Sequence, residues 1–293
     1  MSLSQATYVS KIVSKYGRTG RRTFDTPADS RIKLSESMCP ETEEEKLEMD
    51  KILSSYPGID NIYRSLIGSV QYCRLTRLDT IVATADCSRF LHKPGKDHLK
   101  AAWRIVDYLK GHPNLGLKWY RSKRGPLQPW IIEAWVDADH ANDPDRRRSR
   151  SGYIIRANGN VIDFGTGLQP KTASSTPVAE YVALAALTKQ LIFIYQLLQT
   201  IGVDVILPMK IFEDNKGAVC ISKNAASQKK TRAIEIRYHF VRDYQQDGFI
   251  EVIQCPTADM QADMMTKTLR RPEHVRQTAR TMSECEPLPT QSI

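Results

Sequence analysis

The sequence lacks the cysteine patterns of small disulfide-rich or zinc-binding folds. Its six cysteines form no CxxC pair, and no Cys/His cluster has the spacing of a zinc site. The first residues, MSLSQATYVSKIVSKYG, contain no apolar stretch like that of a signal peptide. No run of about 18 consecutive apolar residues occurs, so no membrane-spanning segment is expected. We therefore expect an intracellular protein whose cysteines are ordinary buried thiols.

Acidic residues are scarce relative to basic ones. The 293 residues include 42 Lys and Arg against 33 Asp and Glu, which leaves a net charge of +9. This excess suits a polyanionic partner such as nucleic acid, although charge alone is equally compatible with an ordinary basic protein. The length allows one large domain or two ordinary ones, and the hydrophobic content of 41% allows a sizeable core to be buried.

A change of periodicity divides the chain. Residues 1–120 are predicted to be mainly helical, and Ile62, Leu66 and Val70 fall on one face of a helix. In residues 121–275 short strand-like runs alternate with helical ones in the order β-β-β-α-β-α-α-β-α, which predicts an α/β domain. Residues 281–293 show no periodicity, and residues 276–293 are predicted to form a disordered tail.

Turn and cap residues set the predicted boundaries in the α/β region. The first three strands are predicted at 131–137, 152–157 and 160–165. Asn158-Gly159 is a strong signal for a two-residue hairpin between the second and third strands. Thr176 is predicted to cap the long helix that follows, with Pro177 at its first position. The stretch ADMQADMMTKTL is predicted to form the last helix.

Four carboxylates stand at the boundaries of these elements. They are Asp137 at the end of the first strand, Glu180 in the first turn of the long helix, Asp214 at the end of the fourth strand, and Asp263 in the last helix. If the first and fourth strands are neighbours, Asp137 and Asp214 lie side by side. Oxygen ligands of this kind suit Mg²⁺, and two ions can activate water and stabilise the leaving oxygen of a phosphodiester. For any one of these acids alone, solvent or an ion pair is the simpler explanation.

Seven strings carry a family resemblance along nearly the whole chain. They are YRSLIGSVQY, AAWRIVDYLKG, VDADHANDPDRRRSRSGYI, STPVAEYVALA, EDNKGAVCISKN, IEIRYHFVRD and QADMMTKTL. Together they resemble the carboxyl-terminal part of the polyprotein of copia-type LTR retrotransposons. The resemblance implies a reverse transcriptase thumb or connection segment over residues 1–120. Over residues 121–275 it implies a ribonuclease H domain with a mixed five-stranded sheet and flanking helices.

The resemblance also implies an activity. It is the hydrolysis of the RNA strand in RNA–DNA hybrids with two Mg²⁺ ions, for which Mn²⁺ can substitute. Asp137, Glu180, Asp214 and Asp263 fall on the family's catalytic and metal-binding acids, and water is the nucleophile. The expected partners are an RNA–DNA hybrid and the rest of a reverse transcriptase, in a cytoplasmic virus-like particle or in the nucleus.

The sequence departs from the family pattern in ways that leave a second hypothesis open. Val178 stands where the family has a second acid, Ala233 replaces the histidine of KHID, and His140 replaces an aromatic residue after DAD. A polymerase site needs paired aspartates, as in YVDD, and no such string occurs, so we expect no DNA synthesis. The alternative is a decayed or repurposed fragment that binds nucleic acid without cutting it.

Basic residues around the acids are the candidate phosphate contacts. They are Arg146, Arg147, Arg148, Arg150, Lys171, Lys216, Lys229, Lys230 and Arg232. A nuclease without sequence preference is expected to hold backbone phosphates with such side chains. The arginines are equally explained by a solvated loop in which they pair with Asp143 and Asp145.

Overall fold

The computed structural model describes residues 1–18, 20–121, 128–223 and 240–285. The chain forms two compact units, which we call the helical unit (Met1–Lys118 with Thr268–Ile293) and the sheet unit (Trp119–Lys267). The predicted first boundary, after residue 120, lies close to the observed one. The predicted second boundary, after residue 275, differs, because the chain from Thr268 onward belongs to the helical unit.

The helical unit contains the helices predicted for its amino-terminal part. They are α1 (Ala6–Tyr16), α2 (Glu43–Ser54), α3 (Ile62–Tyr72), α4 (Ile81–Ser88) and α5 (Lys96–Gly111). A capping box between Thr42 and Glu45 starts α2. In α3 the predicted apolar face is buried, with Ile62, Leu66 and Val70 fully enclosed in the core. A small antiparallel sheet joins β1 (Ser2–Leu3), β2 (Leu115–Lys118) and β8 (Ser283–Glu284).

The prediction of disorder from residue 276 is wrong for residues 276–285. The last helix of the chain, which we number α10, spans Arg271–Thr281, and β8 follows it. The residues that α10 buries are polar, namely His274, Gln277, Thr278 and Thr281. A search for apolar periodicity therefore could not find this helix. Residues 286–293 lie outside the described part of the chain.

The sheet unit is built on five strands. They are β3 (Ile132–Asp139), β4 (Arg150–Ala157), β5 (Asn160–Leu168), β6 (Met209–Glu213) and β7 (Ile250–Gln254). Their order in the sheet is β5-β4-β3-β6-β7. The pairs β3–β4 and β4–β5 are antiparallel, whereas β3–β6 and β6–β7 are parallel. The predicted ribonuclease H-like fold, with a mixed five-stranded sheet, is confirmed.

Four helices flank this sheet within the described residues. They are α6 (Thr176–Thr200), α7 (Lys216–Lys223), α8 (Phe240–Gln246) and α9 (Asp263–Thr266). The predicted last helix is therefore a single turn. Residues 224–239, between α7 and α8, lie outside the described part of the chain.

Two local sequence signals account for the turn between β4 and β5 and for the start of the long helix α6. Asn158 and Gly159 have φ angles of 49° and 82°, as a type I′ turn between β4 and β5 requires. Helix α6 starts at Thr176 with Pro177 in its first turn, but the cap position belongs to Ser175, so the predicted cap is off by one residue.

The long helix α6 is the apolar backing of the sheet. It buries a face that includes Ala179, Leu184 and Leu191 in the same core as Ala134 and Ile211 of the sheet. Among the described residues it is the one helix whose length and composition would suit a membrane span, and half of its most apolar window is buried inside the structure. Packing against the sheet accounts for that apolar composition.

The cysteines follow the prediction in most cases. No disulfide joins them, and Cys73, Cys87, Cys255 and Cys285 are buried. Cys220 is exposed, which corrects the prediction for that residue.

Candidate functional site

Two parallel strands bring Asp137 and Asp214 to the same edge of the sheet. Trp135 of β3 pairs with Phe212 of β6, so the residues two positions further along lie level with each other. Asp214 directly follows β6. Strand β3 continues to Asp139, two residues beyond the predicted end at Asp137. The first and fourth strands of this region are therefore neighbours, which is the condition for Asp137 and Asp214 to lie side by side.

Helix α6 brings a third carboxylate to this edge. Glu180 lies just beyond the first turn of α6, not within it as predicted. One carboxylate oxygen from each of Asp137, Glu180 and Asp214 lies within 4.8 Å of the others. Asp137 and Glu180 are only 2% and 3% exposed, and Asp214 is half-buried. We call these three residues the acidic triad.

The fourth predicted acid, Asp263, reaches the triad through a lysine. Asp263 begins α9, and Lys267 follows one turn later. The Lys267 ammonium lies 2.7 Å from Asp263 Oδ1 and 3.3 Å from Asp137 Oδ2. The Thr266 hydroxyl also donates a hydrogen bond to Asp137. Asp137 is therefore shared between the triad and a second group formed with Asp263 and Lys267.

Glu213 is a carboxylate of the site that the sequence did not reveal. It ends β6 and is fully buried, with one oxygen accepting a hydrogen bond from the Asn215 amide at 3.0 Å. The alternation of Met209, Ile211 and Glu213 places it on the core-facing side of the sheet. That alternation was the available signal, because a strand with one buried face rarely puts an unpaired acid there.

Burial perturbs the acids of this edge strongly. It raises the pKa of Glu180 to about 10, and the negative charges of Glu213 and Asp137 add to the effect. It also raises the pKa of Glu213 to about 8. The pKa of Asp137 is raised by burial as well, against the opposing effect of Lys267. Strongly shifted carboxyl groups in one cluster are characteristic of functional sites.

The donor set fits a hard divalent cation. All three triad ligands are carboxylate oxygens, the type that Mg²⁺ and Mn²⁺ prefer. Glu180 Oε2 and Glu213 Oε2 are buried and have no hydrogen-bond partner among the described residues. A buried oxygen without a partner costs free energy, and a cation bound at this edge would remove that cost. The triad can therefore hold a metal ion.

The chain is similar in sequence to known retrotransposon polyproteins. The chain is 34% identical over 273 residues to a "Retrovirus-related Pol polyprotein from transposon TNT 1-94" of Nicotiana tabacum. It is 35% identical over 209 residues to the corresponding polyprotein from transposon RE1 of Arabidopsis thaliana. The chain belongs to the retrovirus-related Pol polyproteins of copia-type transposons. The first match covers 92% of this chain but only 19% of the relative, so the chain spans about a fifth of that polyprotein's length.

The comparisons with family models and with solved structures do not extend this assignment. No family model matches the chain. A solved "N-Terminal RNASE H domain" from Mycobacterium tuberculosis is 14% identical, with a TM-score of 0.31, and the match covers 51% of this chain and 96% of that one. The strand order and strand directions of the sheet, rather than this likeness, establish the fold.

Two of the three departures from the Pol family pattern lie within the described residues, and each has a local structural role. Val178 belongs to α6 and is buried in the core of the sheet unit, where an acid would lack solvent. His140 Nε2 lies 3.2 Å from the Ala173 carbonyl and so joins the loop after β3 to the loop after β5. Ala233 lies outside the described residues.

The aspartates after Asp137 organise the loop that carries the arginines. Asp139 accepts a hydrogen bond from the Asn142 side chain. The Asp143 carboxylate accepts hydrogen bonds from the backbone amides of Asp145 and Arg146, at 3.4 and 3.1 Å. These contacts agree with the turn roles expected of such residues and leave the adjacent side chains facing outward.

The predicted phosphate contacts in this Pol-family chain fall into three groups. Arg146, Arg147, Lys171 and Lys216 are exposed, and Arg148 is half-buried. Arg150 differs from the prediction, because it is 7% exposed and donates to Thr166, which leaves little of it for a phosphate. Lys229, Lys230 and Arg232 lie outside the described residues.

One hydrogen bond brings two of the exposed basic segments together. The Thr172 hydroxyl donates to the Arg146 carbonyl at 3.4 Å. Lys171 and Arg146 therefore stand on neighbouring loops, both of which follow strands of the sheet. We call Arg146, Arg147 and Lys171 the basic surface.

Proposed function

We propose that the sheet unit is a Mg²⁺-dependent endonuclease that hydrolyses the RNA strand of RNA–DNA hybrids. Its site takes two ions, and Mn²⁺ can replace Mg²⁺. The observation that carries this proposal is the acidic triad, whose ligand oxygens lie within 4.8 Å of one another. Membership of the Pol polyproteins supports the choice of substrate, because reverse transcription produces such hybrids. The partners are the hybrid and the remainder of a reverse transcriptase.

Each acid has a distinct part in this proposal. Asp137, Glu180 and Asp214 would hold one ion, and Asp137 and Asp263 would hold the other. When bound, the ions lower the pKa of the attacking water and stabilise the leaving oxygen of the phosphodiester. Asp137 is central because it belongs to the triad and also pairs with Lys267, which pairs with Asp263.

The protein supplies orientation and access. Asp137 and Glu180 are buried, so their carboxylates are held in place and shielded from bulk water. Asp214 is half-buried, which marks the side from which a phosphodiester can approach. The basic surface lies on loops that follow β3 and β5, where it can hold phosphates of the same duplex.

The test is cleavage of a labelled RNA–DNA hybrid by the purified full chain with Mg²⁺. Asp137→Asn is expected to lower the rate at least about a hundredfold, because metal-ion stabilisation of the transition state contributes several kcal/mol. Glu251→Gln is the matched control, since it removes an exposed carboxylate on β7 of the same unit. Its rate is expected to equal that of the wild type.

Two outcomes would contradict the proposal. If the folded wild type binds the hybrid but does not cut it, the alternative of a nucleic-acid-binding fragment without activity is favoured. If Asp137→Asn cuts as fast as the wild type, the assignment of the site is wrong.

A further inference from the structure

The two groups of acids that share Asp137 differ in whether a basic side chain offsets their negative charge. In the triad, Glu180 Oε2 is buried without a hydrogen-bond partner among the described residues, and Glu213 Oε2 beside it is in the same condition. In the other group, which we call the lysine half (Asp137, Asp263 and Lys267), an ammonium lies between the two carboxylates. Among the described residues no Lys or Arg forms an ion pair with Glu180 or Asp214, whereas the lysine half already contains an ammonium.

The position of Lys267 is well determined by its surroundings. Its ammonium lies 2.7 Å from Asp263 Oδ1, and 3.4 and 3.3 Å from Asp137 Oδ1 and Oδ2. Its backbone amide donates to the Asp263 carbonyl at 3.0 Å, which ties the lysine to the short helix. The side chain is 37% exposed, so a path to solvent is open to the ammonium.

We propose that Lys267 is the resident cation of the lysine half, and that it sets how strongly the protein binds a second divalent ion. This inference rests on the proposed function and deepens it. The first ion binds at the triad, where Glu180 Oε2 is buried and has no hydrogen-bond partner within the described part of the chain. The second ion binds only when the Lys267 ammonium leaves the space between Asp137 and Asp263.

The physical reason is competition between like charges. An ammonium and a divalent ion that share the Asp137 carboxylate repel each other strongly in a partly buried site. The second ion must therefore be bound more weakly than the first. Lys267 is a positioning residue in this scheme, since it acts on the carboxylates and not on the substrate.

The test is a titration of the full chain with Mn²⁺, followed by calorimetry and by electron paramagnetic resonance. The wild type is expected to bind one ion tightly and a second more weakly. Lys267→Gln is expected to tighten the second ion at least about tenfold, and by more than it tightens the first, because it removes the competing charge. Lys267→Arg keeps the charge, and its second ion is expected to stay weak.

Lys210→Gln is the matched control. It removes a positive charge from the exposed side of β6, at the opposite end of the strand from Asp214. Its two binding constants are expected to match those of the wild type. Equal second-ion constants in the wild type and in Lys267→Gln, with normal binding of the first ion, would overturn the inference.

A second measurement uses the wild type alone and does not depend on how the variants fold. An amine-acylating reagent is expected to modify Lys267 slowly without Mn²⁺, and several times faster when Mn²⁺ saturates both sites. Mass spectrometry of peptides reports the rate, and an unchanged rate at Lys267 would overturn the inference. If instead no Mn²⁺ binds and no hybrid is cut, the proposed function itself fails, which is a separate result.

Discussion

Gly152 lies directly opposite Asp137 in the β3–β4 ladder, and α9 packs against it. A Cβ atom at Gly152 would lie 2.6 Å from Met265 Cβ and 2.9 Å from the Met265 carbonyl carbon. Because part of this contact is backbone, the helix would have to move. The same short helix carries Asp263 and ends beside Lys267. The absence of a side chain at Gly152 therefore sets how closely α9 approaches Asp137.

Gly152→Ala is expected to damage the site more than the fold. It should lower the free energy of unfolding by about 1–3 kcal/mol, the usual cost of overpacking. It should lower hybrid cleavage by a larger factor than that loss of folded protein explains. Gly167→Ala is the control, because no atom lies within 4 Å of its added Cβ. Urea unfolding and cleavage rates check both variants, and full activity in Gly152→Ala would contradict the expectation.

Glu180 makes the metal-free protein sensitive to pH. Its pKa is raised to about 10 in the folded protein, so the folded state binds a proton that the unfolded state releases near its ordinary value. Stability contributed by the protonated form is therefore present at low pH, and it decreases as the pH rises toward 10. Thermal unfolding in the presence of a chelator should show a Tm that falls between pH 6 and pH 9. Glu213, whose pKa is raised to about 8, should contribute to the same decrease.

Glu180→Gln removes the titrating group from that position. We expect it to raise the free energy of unfolding of the metal-free protein at pH 8 by on the order of 2 kcal/mol, because folding no longer requires a carboxylate that is ionised in the unfolded state to take up a proton. It should also weaken stabilisation by Mn²⁺. Glu251→Gln, on the exposed face of β7, is the control and should leave both quantities unchanged. A pH profile identical to that of the wild type would show that Glu180 does not carry the dependence.

The triad could be predicted because each of its acids lies close to the boundary of a strand or helix that local sequence patterns indicate. Asp137 and Asp214 follow apolar strands, and parallel neighbours bring such positions together. Glu180 follows a clear helix start. The pairing of β3 with β6 was itself a hypothesis at that level, since strand order depends on contacts between residues far apart in the chain.

Glu213 and Lys267 could not be predicted in the same way. The alternation along β6 indicates that Glu213 faces the core, but its place beside the triad depends on the pairing of strands that are far apart in the chain. Lys267 reads as a surface lysine, and its contact with Asp137 joins residues that are 130 positions apart. Helix α10 was not predicted for a related reason. Its buried face is polar, and the residues that enclose this face cannot be identified from a local sequence pattern.

The helical unit contains a buried polar network that accounts for the polar face of α10. Arg77 and Asp79 form an ion pair at 2.7 Å with both side chains fully enclosed. The Tyr108 hydroxyl donates to Asp79 at 2.7 Å and lies 3.2 Å from His274 Nε2. His274 belongs to α10, so the network connects the carboxyl-terminal helix to the amino-terminal part of this unit.

Asp79→Asn is expected to destabilise the helical unit strongly. It leaves the Arg77 guanidinium buried without a counter-charge, which typically costs about 3–5 kcal/mol. Tyr108→Phe should cost about 1 kcal/mol, the usual contribution of one hydrogen bond. The exposed pair of Lys46 and Glu43 is the control, and Lys46→Ala should cost less than about 0.5 kcal/mol. Urea unfolding ranks the three variants, and a loss in Asp79→Asn no larger than in Lys46→Ala would contradict the expectation.

The basic surface predicts how hybrid binding depends on salt. Each phosphate contact releases counterions, so the slope of log K against log salt concentration should lose about 0.9 for each contact removed from a duplex. Arg146→Ala and Lys171→Ala, made in an Asp137→Asn background that does not cut, should each flatten the slope by about that amount. Lys210→Ala removes an exposed charge from the start of β6 and should leave the slope unchanged. The slope is measured by fluorescence anisotropy between 50 and 200 mM salt, a range over which binding through phosphate contacts weakens strongly. Weaker binding with an unchanged slope would mean that these side chains act on the fold of the loops and not on phosphates.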